Sequence, residues 1–470
     1  MLKQSDISRI YFLGIGGIGM SAIARYFNEK GATVSGYDKS RTSLTIKLEE
    51  EGMTIHYIDS VELVDKQAQI VIYTPAIKTD NKEYVFFLQN NYTLLKRSEI
   101  LGMITEDTFN ICIAGTHGKT TISTMIGHIL RDSKYGCNAF LGGISQNYET
   151  NFWSSENKVS VVEADEYDRS FLKLKPNVAI ISSMDSDHLE IYGDKAGVVQ
   201  GFMDFVKCIK KEGLLIYKYG LQVPDKLTGS RQLSYSLQDT AADAYAGNIS
   251  ITNGCYSFDV FHCGKIIKNI ILRMGGMHNV ENAVAAVSAA LSIDIDEDLI
   301  RKALGTFKGI IRRFQNIGAP SDIHEEENLH TRPVFIDDYA HHPSELTALI
   351  NGVRDLYPGR ECVIIFQPHL FSRTKAFASE FAGALDLADR VILLPIYPAR
   401  ETAIPGITSE IILNEMKLRH KYLMSISELL NSLKDNKNTS VVVTAGAGDI
   451  DQLVEPIRQI IFKKAKLNND

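Results

Sequence analysis

The sequence lacks the features of secreted, membrane-spanning and disulfide-rich proteins. No apolar run approaches the roughly 18 residues that a bilayer-crossing helix needs. The first residues have no basic n-region and lead directly into an apolar strand, so we expect no signal peptide. The six cysteines are scattered without C-x-x-C spacing, which indicates reduced thiols and argues against a disulfide framework or a zinc site. These absences favour a cytoplasmic protein without membrane insertion.

Long blocks of one charge are also absent. The net charge of −7 is spread along the chain, which argues against a nucleic acid or an anionic membrane as the main partner. A hydrophobic content of 44% and a charged content of 23% are those of a globular protein. A chain of 470 residues is too long for a single hydrophobic core. At a typical size of about 150 residues per domain, about three domains are expected.

Three segments each combine an apolar strand, a loop and a helix, at 9–27, 109–130 and 333–353. Short β-branched runs that alternate with helical stretches indicate α/β domains with mainly parallel sheets, whose ligands bind at the carboxyl ends of the strands. Further strands are expected at 32–38, 158–165, 177–183, 361–367, 389–397 and 439–448.

The domain boundaries are expected where this alternation pauses. One pause is near 105–108, and another is the Gly/Pro/Ser-containing and acidic stretch 316–332, which has the composition of a linker. Residues 245–274 alternate around Gly/Asn turns and predict antiparallel hairpins attached to the middle domain. The predicted domains are 1–107, 108–325 and 326–470.

A first glycine-rich loop, GIGGIG at 14–19, follows a strand and opens a helix, and Asp38 ends the next strand. Glycines let the backbone approach a pyrophosphate, which the helix amides then hold. Taken alone, the loop predicts NAD with Asp38 on a ribose, but it serves any dinucleotide-like or UDP ligand, and its glycines can also simply permit a tight turn. The candidate ligand contacts are Gly14, Gly16, Gly17, Ile18, Gly19 and Asp38.

A second glycine loop, AGTHGKTT at 114–121, also joins a strand to a helix. Its glycines let amides surround phosphates, Lys119 neutralises the β/γ oxygens, and the Thr120 hydroxyl can ligate Mg²⁺. A full Walker pattern would have glycine at position 113, which is Ile113 here. The alternative is a solvated lysine in an ordinary turn. The candidate nucleotide-binding residues are Gly115, Thr116, His117, Gly118, Lys119, Thr120 and Thr121.

Acidic residues and one histidine follow two further strands. Carboxylates and an imidazole at such strand ends can hold the Mg²⁺ that bridges ATP and the reacting group. Glu163 and His188 are the main candidates, whereas for Asp165, Asp185 and Asp187 a solvated helix cap is the favoured interpretation. Zinc is disfavoured because no cysteine or second histidine has ligand spacing nearby.

Ten motifs in order give the chain a resemblance to the Mur ligase family over nearly its whole length. They are GIGGIGMS, VIYTPAI at 71–77, GTHGKTT, EADEYDRSF at 163–171, DHLEIYGD at 187–194, HNVENAVAA at 278–286, RRFQ at 312–315, DDYAHHPSE at 337–345, FQPHLFSRT at 366–374 and YPARE at 397–401.

The resemblance implies three α/β domains: an N-terminal Rossmann-like domain for a UDP-sugar, a central P-loop ATPase-type domain, and a C-terminal Rossmann-like domain for an amino acid. It implies ATP and Mg²⁺, an acyl-phosphate mechanism, and a first loop that holds a UDP diphosphate. The opening GIGGIGMS resembles family members that attach L-alanine to the lactyl carboxylate of UDP-N-acetylmuramate.

The resemblance also implies roles for individual residues. Lys119 would stabilise the transferring phosphoryl group, and Thr120, Glu163 and His188 would hold Mg²⁺. The residues implied to contact the nucleotide are His278, Asn279, Asn282, Arg313 and Asp338. Arg313 and Asp338 would reach it when the third domain closes. Those implied for the amino acid and carboxylate are His341, His342, His369 and Arg373. The paired histidines could instead form a capped turn before Pro343.

One position departs from the family pattern. A basic residue often follows the FQPH histidine in the family, and Leu370 stands there in this chain. Arg373 is then the candidate to supply the missing positive charge.

Three alternatives differ in what they leave unexplained. A family member that adds a whole tripeptide to UDP-N-acetylmuramate would open with a sequence similar to GICGTFMGG. A nicotinamide-dependent dehydrogenase has no use for GTHGKTT. A P-loop ATPase acting as a switch would use Lys119 but neither the loop at 14–19 nor the third domain.

Overall fold

The computed structural model describes residues 7–185, 189–224, 226–252, 254–318, 333–399, 401–435 and 440–467. Within these ranges the chain forms three separate β-sheets, each packed against helices. This arrangement confirms the predicted α/β class with three sheets in chain order.

The first sheet has the strand order β3-β2-β1-β4-β5, and all its pairings are parallel. The order reverses between β1 and β4, and the loop after β1 therefore lies at the point where ligands bind in such sheets. This topology confirms the predicted Rossmann-like domain. Its strands are β1 Arg9–Leu13, β2 Thr33–Tyr37, β3 Thr54–His56, β4 Ile70–Tyr73 and β5 Leu94–Lys96, and its helices are α1 Ile18–Glu29, α2 Ser43–Glu50, α3 Lys82–Gln89 and α4 Arg97–Thr105.

The second sheet has the order β15-β14-β13-β12-β11-β10-β6-β9-β7-β8. Strand β6 pairs in parallel with both β9 and β10, so the loops that follow these three strands meet at one edge. The strands are β6 Phe109–Ala114, β7 Asn138–Ser145, β8 Thr150–Trp153, β9 Val159–Glu163, β10 Val178–Ile181, β11 Leu214–Lys218, β12 Arg231–Ser236, β13 Ala244–Thr252, β14 Cys255–His262 and β15 Lys265–Leu272. The helices are α5 Lys119–Asp132, α6 Leu189–Tyr192, α7 Lys195–Lys207, α8 Met277–Leu291 and α9 Glu297–Thr306, with a 3₁₀ helix at Tyr167–Lys173.

Strands β13, β14 and β15 are consecutive neighbours at one end of the second sheet. Two-residue connections separate them, and such short connections join only antiparallel strands. The hairpins predicted at 245–274 are therefore present and extend the mainly parallel sheet.

The third sheet has the order β16-β17-β21-β18-β19-β20 and is parallel except for β16. Its strands are β16 Gln315–Ile317, β17 Val334–Asp338, β18 Cys362–Phe366, β19 Arg390–Leu393, β20 Lys421–Leu423 and β21 Val441–Ala445. Its helices are α10 Pro343–Leu356, α11 Phe371–Ala376, α12 Ala378–Leu385, α13 Glu410–Glu415, α14 Ile426–Ser432 and α15 Val454–Leu467, with 3₁₀ helices at Leu433–Asp435 and Asp449–Leu453.

The chain packs as two compact units. The first runs up to Gly247 and includes Asp259–Asn269 and Glu281–Phe307, whereas the second comprises Asn248–Phe258, Ile270–Val280 and the chain from Lys308 onwards. The predicted domain bounds 1–107, 108–325 and 326–470 stay predictions. The last two residues of strand β16 fall in the predicted linker 316–332, and this strand pairs antiparallel with β17. Residues 319–332 lie outside the described residues.

Local sequence explains where these elements begin. The strands are short β-branched runs, and central residues such as Phe12, Ile113 and Ile364 are fully buried. Asp296 caps α9 by accepting hydrogen bonds from the first amides of that helix. None of the helices in the described part of the chain has both the length and the apolar character required to span a membrane.

Candidate active site

The loop between β6 and α5 contains two glycines with left-handed backbone conformations. Gly115 has a φ of +136°, and Gly118, the N-cap residue of α5, has a φ of +83°. A Cβ atom at Gly118 would lie 2.8 Å from Oδ1 of Asn282 on α8, and one at Gly115 would collide with Ser182. Glycine at both positions therefore permits a tight turn that directs the first amides of α5 at an incoming anion.

Residues after β10 fix the shape of this loop. The Ser183 hydroxyl lies 2.8 Å from Oγ1 of Thr116 and accepts a hydrogen bond of 2.8 Å from the amide of His117. The amide of Asp185 donates to Thr116 Oγ1 at 3.1 Å. Ser183 was not predicted from the sequence, although its position directly after a strand beside the loop was a usable signal.

Lys119 is engaged by a buried carboxylate. Its ammonium donates to the carbonyl oxygen of Gly115 at 2.6 Å and lies 2.8 Å from Oε2 of Glu166. Glu166 is only 2% exposed. It lies in the acidic segment that the sequence indicated, but it was not singled out there. The structure therefore adds Glu166 as the residue that orients Lys119.

Thr120 and Glu163 lie together beside this lysine. Burial raises the pKa of Glu163, while the Lys119 charge and a hydrogen bond from Thr120 act in the opposite direction. The Glu163 carboxylate also accepts a hydrogen bond of 3.0 Å from the amide of Gly142. A Cβ atom at Gly142 would collide with that carboxylate, so glycine is required there. The next threonine, Thr121, is buried in the first turn of α5.

The oxygen donors of Thr120 and Glu163 suit Mg²⁺, which binds through hydroxyl and carboxylate oxygens together with substrate phosphates. His188, the third predicted ligand, lies outside the described residues. Among the residues that are described, no group of three or more His, Cys, Asp and Glu side chains is arranged to hold a metal ion. Thr120 and Glu163 are suitable ligands for Mg²⁺, and the binding of Mg²⁺ at this site stays a prediction.

The first glycine loop is closed by a carboxylate. Gly14 has a φ of +85°, and the amide of Gly16 donates to Oδ2 of Asp38 at 2.8 Å. The other oxygen of Asp38 accepts a hydrogen bond of 3.1 Å from the amide of Ser40. Asp38 therefore fixes the conformation of the loop, and its contact with a ligand stays a prediction.

An arginine joins the first loop to the end of β9. Gly17 is the N-cap residue of α1, and Ile18 and Gly19 form its first turn. A Cβ atom at Gly19 would collide with the guanidinium of Arg97, which donates to Oδ2 of Asp165 at 2.7 Å. Arg97 was not predicted from the sequence.

Of the three candidates on α8, Asn282 is placed against Gly118 of the phosphate loop. Asn279 lies one turn earlier, and its side-chain amide donates to the carbonyl oxygen of Gly275 at 2.6 Å. His278 packs beside Gly276, where a Cβ atom would collide with the imidazole. The nucleotide contacts of His278 and Asn279 stay predictions.

In the second unit, Asp338 ends β17 and holds the preceding segment in place. Its carboxylate accepts hydrogen bonds from the amides of Phe314 at 2.6 Å and Ala340 at 2.7 Å. Burial raises the pKa of Asp338 to about 6, although the charge of Arg313 opposes the shift. Arg313 and Asp338 thus belong to the same structural unit, whereas the sequence had placed them on opposite sides of a linker.

His341, His369 and Arg373 lie together in the second unit. The rings of His341 and His369 are 6.0 Å apart. Burial lowers the pKa of His341, and the charges of Arg373 and Arg313 lower it further. The charge of Glu345 acts in the opposite direction. Nη1 of Arg373 is buried and has no hydrogen-bond partner among the described residues. This group therefore offers a donor for an anionic ligand.

His342 and Leu370 each directly precede a helix, and amino-acid binding by His342 stays a prediction. The Nδ1 atom of His342 lies 2.9 Å from the Ser344 hydroxyl, and His342 caps α10 directly before Pro343. This is the capped turn that the sequence left open as an alternative. Leu370 precedes α11 with a φ of +69°, an unfavourable conformation for leucine.

Sequence profiles identify the class of protein that this fold and these loops define. Residues 9–108 match the Mur ligase family, catalytic domain, residues 113–290 match the Mur ligase middle domain, and residues 324–448 match the Mur ligase, glutamate ligase domain. The chain belongs to the Mur ligase family, and it is an ATP-dependent, amide-forming ligase. The family predicted from the ten motifs is confirmed.

Similar proteins narrow the comparison within the family. A UDP-N-acetylmuramate–L-alanine ligase of Cytophaga hutchinsonii is 44% identical over 466 residues, which cover 97% of each chain. One of the same name from Porphyromonas gingivalis is 44% identical, covering 97% of this chain and 99% of its own. The crystal structure of the Thermotoga maritima UDP-N-acetylmuramate–alanine ligase has a TM-score of 0.80 at 26% identity and covers 98% of this chain and 99% of its own. A murein peptide ligase from Psychrobacter arcticus shares the fold, with a TM-score of 0.64 at 23% identity and coverage of 97% and 98%.

Proposed function

We propose that the enzyme joins the amino group of L-alanine to the lactyl carboxylate of UDP-N-acetylmuramate, converting ATP to ADP and phosphate. The full-length similarity to ligases named for this reaction carries the proposal. The two glycine loops support it, because one suits a nucleotide-sugar diphosphate and the other suits the phosphates of ATP.

The reaction proceeds in two displacements. An oxygen of the lactyl carboxylate attacks the γ-phosphorus of ATP, which releases ADP and leaves an acyl phosphate. The uncharged amine of L-alanine then attacks the acyl carbon, and the resulting tetrahedral intermediate expels phosphate and loses the amine proton to form the amide. The protein contributes mainly by positioning the reactants and stabilising charge.

The phosphate loop residues have defined tasks in the first displacement. The amides at the start of α5 bind the phosphates, and the ammonium of Lys119 stabilises the charge on the transferring group. Thr120 and Glu163 would hold Mg²⁺, which neutralises phosphate charge when bound. Asn282, which lies beside Gly118, contributes to nucleotide binding.

We assign the remaining candidates by their chemistry. His278, Asn279, Arg313 and Asp338 contribute to nucleotide binding. His341, His369 and Arg373 bind the carboxylate of the amino acid, which the buried donor on Arg373 supports.

A cytoplasmic location suits this function. All six cysteines are free thiols, as expected in a reducing compartment.

Phosphate release tests the proposal directly. Purified enzyme is incubated with ATP, Mg²⁺ and either UDP-N-acetylmuramate or UDP-N-acetylmuramoyl-L-alanine. The acceptor is L-alanine, glycine, serine, a tripeptide or none, and the product is identified by mass. We expect L-alanine to be the best acceptor, with glycine and serine about 10–200-fold less efficient, because a pocket closed around one methyl group discriminates by only about 1–3 kcal/mol. A tripeptide as best acceptor, or UDP-N-acetylmuramoyl-L-alanine as preferred donor, would refute this substrate assignment.

A further inference from the structure

Arg97 lies between the first glycine loop and the segment that follows β9. It is the first residue of α4, and its guanidinium lies against Gly19 at the start of α1. On its other side it donates a hydrogen bond of 2.7 Å to Asp165, directly beyond β9. The side chain is 23% exposed, so a ligand can reach it.

A cavity of about 100 Å³ lies in front of this arginine. Its wall includes Gly19, Arg97, Gly142, Glu163 and Asp165, together with apolar side chains of α1 and β7. Two of these residues are carboxylates, and among the described lining residues Arg97 alone carries a positive charge. A substrate carboxylate that enters here would be repelled by Glu163 and Asp165 unless a cation receives it.

We propose that Arg97 binds the lactyl carboxylate of the acyl donor and exchanges its hydrogen bond to Asp165 for one to the substrate. This inference rests on the proposed function and names the residue that positions its attacking group. A guanidinium presents parallel donors that match a carboxylate, and it retains its charge at any relevant pH. Lys119 is assigned to the transferring phosphoryl group, and Arg97 supplies a fixed protein cation for the nucleophile, beside the Mg²⁺ that Thr120 and Glu163 would hold.

With Arg97 in this role, the acyl donor UDP-N-acetylmuramate is held at two points. The first glycine loop holds the diphosphate, and Arg97 holds the carboxylate next to Glu163. Fixing the carboxylate at this point restricts its approach to the phosphorus, which is the orientation effect that accelerates such displacements.

The test compares two nucleotide sugars that differ in the lactyl group. Binding of UDP-N-acetylmuramate and of UDP-N-acetylglucosamine is measured by calorimetry for wild type, Arg97→Ala, Arg97→Lys and Asp165→Asn. Lys96→Ala is the matched control, because Lys96 is the neighbouring residue and pairs with Asp168 at 3.2 Å in the same way. Thermal melting checks the fold of each variant.

We expect Arg97→Ala to weaken UDP-N-acetylmuramate binding by about 10- to 100-fold, as loss of a charge-assisted hydrogen bond does. Binding of UDP-N-acetylglucosamine should change by less than about 3-fold, Lys96→Ala should behave as wild type, and Arg97→Lys should recover part of the loss. Asp165→Asn should leave the affinity for UDP-N-acetylmuramate unchanged or raise it, because the substitution removes the carboxylate that competes for Arg97.

Equal losses for both nucleotide sugars would overturn the inference and assign Arg97 to the diphosphate. It would also be overturned by unchanged donor binding in Arg97→Ala, or by an Asp165→Asn defect as large as that of Arg97→Ala, which would indicate a purely structural pair. Wild-type turnover with L-alanine is measured first. If it is absent, the proposed function fails; if it is present and Arg97→Ala binds normally, only the Arg97 assignment fails.

Discussion

The two glycine loops of the first unit share a backbone conformation but differ in the charged side chain beside them, an aspartate in the first and a lysine in the second. Each follows a parallel strand, opens a helix and contains a left-handed glycine, with φ of +85° at Gly14 and +83° at Gly118. The first loop donates an amide to the carboxylate of Asp38, whereas the second presents the ammonium of Lys119. The same turn geometry therefore serves two ligands, and the charged neighbours distinguish them.

Two buried acids, one beside each of the first two sheets, also differ in their partners. Glu83 on α3 is fully buried and accepts a hydrogen bond of 2.6 Å from the hydroxyl of Tyr11, and His56 lies 3.7 Å away. Burial raises the pKa of Glu83 to about 7 and lowers that of His56, so Glu83 has mainly neutral partners. Glu166 instead pairs with the cation of Lys119. A buried acid thus stabilises the fold in the first case and orients a reactive group in the second.

Removing the cation should produce the largest effect. Lys119→Ala should reduce the rate of phosphate release by about 10²–10³-fold, because preorganised charge stabilisation is worth about 3–4 kcal/mol. The measurement is kcat with saturating substrates. Lys175→Ala removes a surface lysine that pairs with Glu106 and should leave kcat unchanged. Near wild-type turnover in Lys119→Ala would refute the catalytic role of the second loop.

Glu83 should affect the stability of the fold and not catalysis. Because folding raises the pKa of Glu83 from 4.5 to about 7, its contribution is fully present below about pH 4.5 and is lost as the pH rises through about 7. Between pH 5 and pH 8, wild type should lose about 2–3 kcal/mol more of its free energy of unfolding than Glu83→Gln does. Urea titrations at both pH values measure this, with Glu106→Gln as an exposed control. Identical pH dependence in wild type and Glu83→Gln would show that Glu83 is ionised throughout.

Substituting one glycine in each loop tests which ligand each loop holds. Alanine at Gly14 or Gly118 must adopt a positive φ at a cost of about 1–2 kcal/mol and would also approach Thr74 or Asn282. We expect a rise of about 10-fold in KM for UDP-N-acetylmuramate with Gly14→Ala, and a similar rise in KM for ATP with Gly118→Ala. Gly52→Ala has the same strain with open space around it and should change neither. Identical KM changes in both loop variants would mean that the loops do not bind separate ligands.

Local patterns in the sequence predicted the strand–loop–helix units closely. The unit expected at 109–130 appears as β6 followed by α5, because a β-branched run, a glycine turn and an apolar helix face act over a few residues. Strand β16 escaped prediction because it has three residues and needs its partner β17 to form. Short, polar strands carry little local signal.

The missed site residues have a different cause. Arg97 pairs with Asp165 across 68 positions of sequence, and Ser183 meets Thr116 across 67. Such pairs follow from how strands are ordered in a sheet and how helices pack on it, which no spacing rule records. Motifs therefore predicted the backbone loops well and their charged partners poorly.

The smallest predicted effect concerns the hold of Glu166 on Lys119. An incoming nucleotide competes with the buried Glu166 carboxylate for the ammonium. Glu166→Gln should therefore raise the affinity for a non-hydrolysable ATP analogue by about 3–10-fold, the modest net contribution of one hydrogen bond. Glu166→Asp, which keeps the charge, should restore affinity towards that of wild type. Calorimetric titration with the analogue measures both variants, and the melting temperature reports whether the fold is intact. A loss of affinity in Glu166→Gln would instead mean that Glu166 holds Lys119 in its phosphate-binding position, which would make the buried acid a support for the nucleotide and not its competitor.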